Sequence, residues 1–206
     1  RLLPDPSGPR VLIYHQVGAE LGRQMEVTEG DFDRQLAWLG EHRRVVDLAT
    51  AIERWDTPDA DRLVVLTFDD GFADVHDTAF PRLADRGFPF TLYLTTGPIE
   101  TGEPLGGVAE APPLTWDQVN AMTASGLVTL GAHTHTHPDL RSLEPAEIEV
   151  ELATSDDLIE RRTGVRPRHF TYPWGHWTEQ AHALIAERYD SATVGARLDR
   201  QVRPDR

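Results

Sequence analysis

The sequence predicts an α/β fold in which helices connect the strands of a parallel sheet. Short runs rich in β-branched and aromatic residues alternate with longer amphipathic runs, and this alternation repeats about seven times along the 206 residues. About seven βα units favour a barrel-like closure smaller than the eight-fold barrel, with an open doubly wound sheet as the alternative. The length fits one domain, residues 1–206, with a sizeable core.

Seven short runs are the predicted strands. They are rich in Val, Ile, Leu, Phe, Tyr and Thr, which suit a pleated and buried surface. The predicted strands are 11–14, 44–46, 63–68, 89–95, 127–130, 169–172 and 191–194. In parallel α/β folds the chemistry gathers at the carboxyl ends of the strands. The residues that follow these runs are therefore the first candidates for a functional site.

Capping residues mark the predicted helices between the strands. A threonine cap or a first-turn proline precedes each apolar stripe. The helix starts predicted in this way are Thr28, Thr115, Pro145 and Thr178. Gly126 and Gly164 end two of these helices, since glycine suits the backbone at a helix C-terminus. The stretch 102–113, with three Gly and three Pro, predicts a surface loop.

The composition excludes several classes of function. A net charge of −14 argues against a nucleic-acid partner, because phosphate binding needs a basic face. No run approaches the ~20 apolar residues of a membrane-spanning helix, and segment 1–9 lacks the order of a signal peptide, as expected for a mature or trimmed chain. The absence of cysteine excludes disulfides and thiolate metal sites.

Two adjacent carboxylates, Asp69 and Asp70, follow the third predicted strand. Adjacent carboxylates that point in different directions can divide two tasks, one holding a metal and the other accepting a proton from water. Taken alone, Asp-Asp-Gly after a strand is more typical of a solvated turn. Histidines at metal-ligand spacing follow the fifth predicted strand, in segment 131–138, and this second signal favours a functional site.

Asp70, His133 and His137 form the candidate ligand set. One carboxylate and two imidazoles, with positions left for water or substrate, suit zinc or another borderline divalent metal. His133 and His137 are four residues apart, so a helical or tight turn would place both on one face. His135 would then point away, as an exposed or supporting residue. The alternative is a solvated loop that happens to contain three histidines.

Four loops are predicted to converge on one rim of the sheet. They follow the first, third, fifth and sixth predicted strands, at the ends where parallel folds place their chemistry. The loops carry His15, the Asp69 and Asp70 pair, the His133 and His137 pair, and the segment 173–175.

Two segments carry a resemblance to a known family. Thr-Phe-Asp-Asp-Gly at 67–71 and His-Thr-x-x-His-Pro at 133–138 resemble the first two motifs of the polysaccharide deacetylase family, carbohydrate esterase family four, which contains the NodB homology domain. The resemblance runs from His15 to about Val194. It implies a distorted (β/α)7 barrel with parallel strands that removes N-acetyl, and sometimes O-acetyl, groups from carbohydrate.

The resemblance also implies roles for the matching residues. Asp69 becomes the general base, and Asp70, His133 and His137 become ligands of a divalent metal, with Zn²⁺ expected and Co²⁺ or Ni²⁺ as alternatives. The third family motif, usually Arg-Pro-Pro-Tyr-Gly, corresponds to Thr-Tyr-Pro-Trp-Gly at 171–175.

The third motif departs from the family pattern at its first position. Thr171 replaces an arginine that normally orients the base, and a nearby cation would have lowered the pKa of Asp69. By resemblance the backbone N–H of Trp174 helps to hold the oxyanion. The Trp174 side chain could equally be a packed aromatic or a stacking platform for a sugar.

His15 is the candidate general acid. The usual C-terminal Leu-x-His motif is missing, but Ile-Tyr-His-Gln-Val at 13–17 resembles the Tyr-His-x-Ile/Val segment of the branch that deacetylates poly-N-acetylglucosamine. In that branch the barrel is circularly permuted and the acid histidine comes first. The alternative is a histidine that is merely hydrogen-bonded at a strand end.

Together with these site residues, the resemblance implies a metal-dependent deacetylase of a polysaccharide that contains N-acetylglucosamine. The expected partner is an acetylated polysaccharide or oligosaccharide, and the expected location is extracellular or at the cell envelope, with a cytoplasmic location as the alternative. One rival function is a metal-dependent amidohydrolase on the same barrel that opens a small cyclic amide. A second is a degenerate barrel that binds carbohydrate without catalysis, which would not require a base beside a metal triad.

Overall fold

Seven parallel strands form the main sheet. The computed structural model describes residues 8–18, 25–106 and 111–195. The strands in these ranges are β1 (Arg10–Tyr14), β2 (Gln16–Val17), β3 (Glu26–Val27), β4 (Arg44–Val45), β5 (Leu63–Phe68), β6 (Phe90–Leu94), β7 (Val128–Ala132), β8 (His169–Thr171) and β9 (Ser191–Thr193). The main sheet has the order β1-β5-β6-β7-β8-β9, and β4 pairs with β5. All seven predicted strands are confirmed.

The helices in these ranges are α1 (Glu29–His42), α2 (Leu48–Glu53), α3 (Phe80–Ala84), α4 (Thr96–Thr101), α5 (Trp116–Thr123), α6 (Pro145–Thr163) and α7 (Glu179–Arg188). Four of the described helices, α1, α5, α6 and α7, begin at the predicted starts Thr28, Thr115, Pro145 and Thr178, whereas α2, α3 and α4 were not predicted. The Thr115 hydroxyl accepts the N–H of Gln118, whose side chain accepts the N–H of Thr115 in return, which completes a capping box. Gly164 ends α6 with a φ of 74°.

The two faces of the main sheet bury different side chains, because successive residues of a strand point to opposite faces. One face carries the larger buried apolar core, which includes Leu66, Phe68 and Leu92. The opposite, concave face carries polar residues such as Thr67 and a smaller apolar cluster that includes Tyr93 and residues of α2. On that face Tyr93 packs over Gly131, where a Cβ would lie 2.4 Å from the Tyr93 ring, so only glycine fits.

The main sheet is curled rather than flat. A Cβ on Gly195, just after β9, would lie 3.8 Å from Cδ1 of Ile13 on β1, although these outer strands do not pair within the described ranges. The predicted barrel of parallel strands and helices is confirmed in the form of a curled half-barrel. The circular permutation stays a prediction.

Two features differ from the sequence-based expectations. The strands β2 and β3, a separate parallel pair of two residues each, are too short to leave a periodic pattern. The stretch 102–113 is not wholly a surface loop, because Leu105 and Ala111 are buried and Phe72 bridges to Pro113; residues 107–110 lie outside the described ranges. Among the helices that are described, none combines the length and apolarity needed to cross a membrane.

Candidate metal centre and catalytic site

The carboxyl ends of β5 and β7, the two strands that flank β6, bring predicted site residues together. Asp69 and Asp70 follow β5, and His133 follows β7. Nε2 of His133 and Nε2 of His137 each lie 3.4 Å from Oδ1 of Asp70, and one donor atom from each of the three residues lies within 4.8 Å of the other two. All three side chains are buried. The structure therefore brings the three candidate ligands together.

The chemistry of these three side chains fits a divalent cation. Oδ1 of Asp70 is buried and has no hydrogen-bond partner. Nδ1 of His133 lies 2.8 Å from the carbonyl oxygen of Thr171, which fixes the proton on Nδ1 and leaves the lone pair of Nε2 facing Asp70. A carboxylate and two imidazoles, all oxygen and nitrogen donors, suit Zn²⁺, and also Co²⁺ or Ni²⁺.

For two of the three candidate ligands, His137 and Asp70, the electrostatics favour the form that binds a metal. Burial, helped by the charge of His133, lowers the pKa of His137 to about 4, so this imidazole is neutral at neutral pH. Burial opposes the ionisation of Asp70, but the facing imidazoles outweigh it and lower the pKa of this carboxyl. The carboxylates beside His133 raise its pKa despite burial. A bound cation would compensate the negative charge of these carboxylates in place of the extra proton on His133.

Backbone strain is concentrated at this site. Of the residues that the structure describes, four other than glycine have a positive φ: Asp70 (70°), Thr134 (66°), His137 (59°) and Trp174 (62°). Such conformations cost on the order of 1–3 kcal/mol each and persist only where the surroundings enforce them. The loop between His133 and His137 is therefore a strained loop and not a helical turn.

The loop is bridged from within by Thr134. The Thr134 hydroxyl donates to the carbonyl oxygen of His133 at 2.5 Å and accepts the N–H of His137 at 3.0 Å. His135, between the two candidate ligands, points away from Asp70, and its Nδ1 lies 2.9 Å from the hydroxyl of Thr96. This placement agrees with the supporting position predicted for His135.

Asp69 lies beside the cluster without joining it. Its side chain is 6% exposed, and its Oδ1 has no hydrogen-bond partner. Burial raises the pKa of Asp69 to about 7; the charge of Asp70 adds to the rise, and His133 opposes it. A carboxyl that titrates near neutral pH with an unpartnered oxygen can take a proton from water.

His15 lies at the end of β1, next to Asp69. Tyr14 pairs with Phe68 across β1 and β5, and the N–H of Asp69 donates to the carbonyl oxygen of Tyr14 at 3.0 Å, so His15 and Asp69 are level on adjacent strands. Burial lowers the pKa of His15, while the charge of Asp70 acts in the opposite direction. The end of β1 therefore places His15 at the same rim of the sheet as Asp69.

Trp174 stands at the mouth of the site, in the tight turn Pro173–Gly175. Its indole N–H donates to the carbonyl oxygen of His137 at 3.3 Å, and the two ring centroids are 4.8 Å apart. The residue is nevertheless 51% exposed. The indole is therefore held in place beside a candidate ligand and keeps one side open to solvent.

Sequence reasoning missed two supporting groups. The carbonyl oxygen of Thr171 orients His133. The side-chain hydroxyl of Thr171 donates to the carbonyl oxygen of Thr193 at 3.2 Å. Glu151 on α6 accepts hydrogen bonds from the loop between the candidate ligands. A backbone carbonyl leaves no signal in the residue types, and a lone glutamate on a helix looks like a solvated surface residue.

Comparisons with known proteins point to one family. The family model described as polysaccharide deacetylase matches residues 56–191. A chitooligosaccharide deacetylase of Bradyrhizobium sp. (strain ANU 289) is 35% identical over 132 residues, which are 61% of this chain and 52% of that protein. Three curated relatives of this chain are matched over 60% of their own length or less.

Solved structures of deacetylases share the fold. IcaB from Ammonifex degensii superposes with a TM-score of 0.75 and 26% identity, over 89% of this chain and 82% of that chain. The deacetylase PplD of Streptococcus pyogenes, in complex with acetate, superposes with a TM-score of 0.76 and 25% identity, over 90% of this chain and 82% of that chain. The curled parallel sheet thus matches the barrel of these deacetylases.

Proposed function

Because this chain belongs to the polysaccharide deacetylase family, we propose that it is a metal-dependent hydrolase that removes N-acetyl groups from a polysaccharide containing N-acetylglucosamine. One observation carries the proposal: a buried carboxyl with an unpartnered oxygen, Asp69, lies beside the convergent donors of Asp70, His133 and His137. Binding alone gives no reason to keep a base beside three such donors. Metal-dependent hydrolysis requires both the base and the metal-binding donors.

The residues of the site have separate proposed roles. Asp70, His133 and His137 would hold a divalent cation. The cation that we propose is Zn²⁺, with Co²⁺ or Ni²⁺ as the alternatives. When bound, such a cation supplies Lewis acidity, which polarises a carbonyl and makes water more acidic. The exposed indole of Trp174 offers a stacking surface for a sugar ring at the mouth of the site.

Proton transfer is assigned to two side chains. Asp69 takes a proton from the water that adds to the acetyl carbon, because this carboxyl has an unpartnered oxygen beside the candidate ligands. The backbone N–H of Trp174 donates to the developing oxyanion. His15 gives a proton to the nitrogen as the carbon–nitrogen bond breaks. The products are acetate and a free glucosamine unit.

The names of the relatives support this substrate class. The Bradyrhizobium relative is a chitooligosaccharide deacetylase, and the PplD structure contains acetate, the product proposed here. A polymeric substrate of this kind also motivates an extracellular or cell-envelope location. Fractionation of the source cells tests that location, and recovery of the protein only in the cytoplasmic fraction would contradict it.

Acetate release is the direct test of the proposed activity. The protein is incubated with N-acetylglucosamine oligomers, O-acetylated glycans and a small cyclic amide, each with and without a chelator. We expect acetate from the N-acetylated glycans, loss of activity on chelation and recovery with added Zn²⁺. Ring opening of the cyclic amide without acetate release would instead favour the amidohydrolase. Undiminished acetate release in excess chelator would contradict the role of the metal.

A further inference from the structure

The strained loop between His133 and His137 is held from outside by a residue of α6. Thr134 and His137 have φ values of 66° and 59°, and a β-branched threonine rarely adopts this conformation. Strained backbone persists only where its surroundings over-determine it. The Thr134 hydroxyl ties the two ends of the loop together, but its middle, His135 and Thr136, needs separate support.

Glu151 supplies that support from one side. Its Oε2 accepts the backbone N–H groups of His135 and Thr136 at 2.9 and 2.8 Å, and its Oε1 accepts the Thr136 hydroxyl at 2.8 Å. Both carboxylate oxygens are thus used on two consecutive residues. Hydrogen bonds to an ionised acceptor are roughly twice as strong as neutral ones, so this one side chain is a strong restraint on the loop.

The start of α4 holds the loop from the other side. The N–H of Gly97 donates to the carbonyl oxygen of His135 at 2.7 Å, and the Thr96 hydroxyl lies 2.9 Å from Nδ1 of His135. A Cβ on Gly97 would lie 2.7 Å from the same carbonyl oxygen, so the contact requires glycine. His135 is therefore fixed between α4 and Glu151. Because His133 and His137 lie on the same short loop, these contacts also restrict the backbone positions of the two candidate ligands.

We propose that Glu151 is a positioning residue for the metal centre, which sets the affinity for the cation by fixing the backbone that carries His133 and His137. This inference rests on the proposed metal-dependent function. Groups that orient metal ligands typically contribute 10- to 100-fold to metal affinity. The helix itself does not need Glu151, because alanine is the best helix former at that position.

A zinc titration of the metal-stripped protein tests the role of Glu151. We expect Glu151→Ala to bind Zn²⁺ about 10- to 100-fold more weakly than the wild type, at unchanged stoichiometry. Glu151→Gln should keep most of the affinity, because its carbonyl oxygen still accepts the two N–H groups. Wild-type affinity in Glu151→Ala would overturn the proposal.

Glu149 provides a matched control on the same helix. It lies about 200° around α6 from Glu151, and its carboxylate accepts a hydrogen bond from Arg188 at 2.6 Å. Glu149→Ala should therefore lower the stability to unfolding while leaving the zinc affinity unchanged. An equal loss of zinc affinity in both variants would mean that Glu151 acts only through the stability of the helix, which would also overturn the proposal.

Amide hydrogen exchange gives a readout that needs no metal. In the metal-stripped protein, the amides of His135 and Thr136 should exchange faster in Glu151→Ala than in the wild type, while core amides of β6 and β7 exchange as before. Unchanged exchange at both residues would overturn the positioning role. If the wild type bound no Zn²⁺, the proposed function would fail, and this exchange experiment would separately show whether Glu151 holds the loop.

Discussion

Two of the regions that the structure describes bury carboxylates in contrasting surroundings. Asp156 of α6 is fully buried near α7 and accepts a hydrogen bond from the Tyr189 hydroxyl at 2.7 Å. The guanidinium groups of Arg188 and Arg166 lie 3.3 and 3.4 Å from its Oδ2. At the rim of the sheet, by contrast, Asp69 and Asp70 each retain a buried oxygen without a hydrogen-bond partner.

This difference separates a structural carboxylate from candidate functional ones. A buried polar atom without a partner costs about 1–3 kcal/mol, so an accumulation of such atoms requires a reason. At the rim they coincide with backbone strain and with facing imidazoles. Sites that break local rules of stability in this way are typically sites that meet a ligand. The predictions below test whether the two regions are separable.

The largest effect on activity is expected for Asp69→Asn. The variant keeps the shape of the side chain but removes the proton acceptor, so turnover should fall by about 10²–10⁴-fold. Its zinc content should stay at the wild-type level, because Asp69 lies outside the ligand set. Acetate release and metal analysis measure the two quantities. A turnover near that of the wild type would assign the base elsewhere.

His15→Asn is expected to lower the rate on N-acetyl substrates by about 10²-fold, near the lower end for a positioned acid. An activated aryl acetate should be affected much less, because a good leaving group needs little protonation. Parallel assays of the two substrates provide the comparison. If both rates fell equally, His15 would be a structural residue and the resemblance to the permuted branch would lose its main support.

Asp156→Ala should show the opposite behaviour. Loss of its hydrogen bonds to Tyr189 and the arginines should lower the free energy of unfolding by about 1–3 kcal/mol, while activity at 25 °C is retained. Asp157→Ala is the matched control, because this neighbouring carboxylate is exposed and should contribute within about 0.5 kcal/mol. Urea unfolding measures both variants. Loss of activity in a folded Asp156→Ala protein would contradict the separation of the two regions.

The last prediction is a pH dependence of stability at Asp74, which leaves the metal centre untouched. Burial raises the pKa of Asp74 to about 7, and the charge of Glu26 adds to the rise. A carboxyl whose folded pKa lies above its unfolded value of about 3.9 contributes stability at low pH that is lost as the pH rises to about 7. The stability of Asp74→Asn relative to the wild type should therefore increase from pH 5 to pH 8 in urea unfolding. A difference independent of pH would contradict this assignment.

The positions of the candidate ligands could be predicted from the sequence, but the contacts that hold these ligands in place could not. Asp70 and His133 could be predicted because the apolar runs before them mark strand ends, and parallel strands end at one rim. The helix starts could be predicted because a cap such as Thr115 acts within four residues.

The supporting contacts could not be predicted, because they join residues that are distant in sequence. Glu151 meets His135 only when α6 packs beside the loop, and the carbonyl of Thr171 meets His133 only when β7 and β8 pair. The strain at Thr134 follows from these tertiary contacts and opposes the local preference of a β-branched residue.

A zinc titration of the metal-stripped protein by isothermal calorimetry tests most directly whether the rim is a metal centre. We expect one Zn²⁺ per chain for the wild type and for His135→Ala, and no stoichiometric binding for Asp70→Ala or for the double variant His133→Ala with His137→Ala. Stoichiometric Zn²⁺ in the double variant, or its loss in His135→Ala alone, would contradict the assignment of Asp70, His133 and His137 as the ligands.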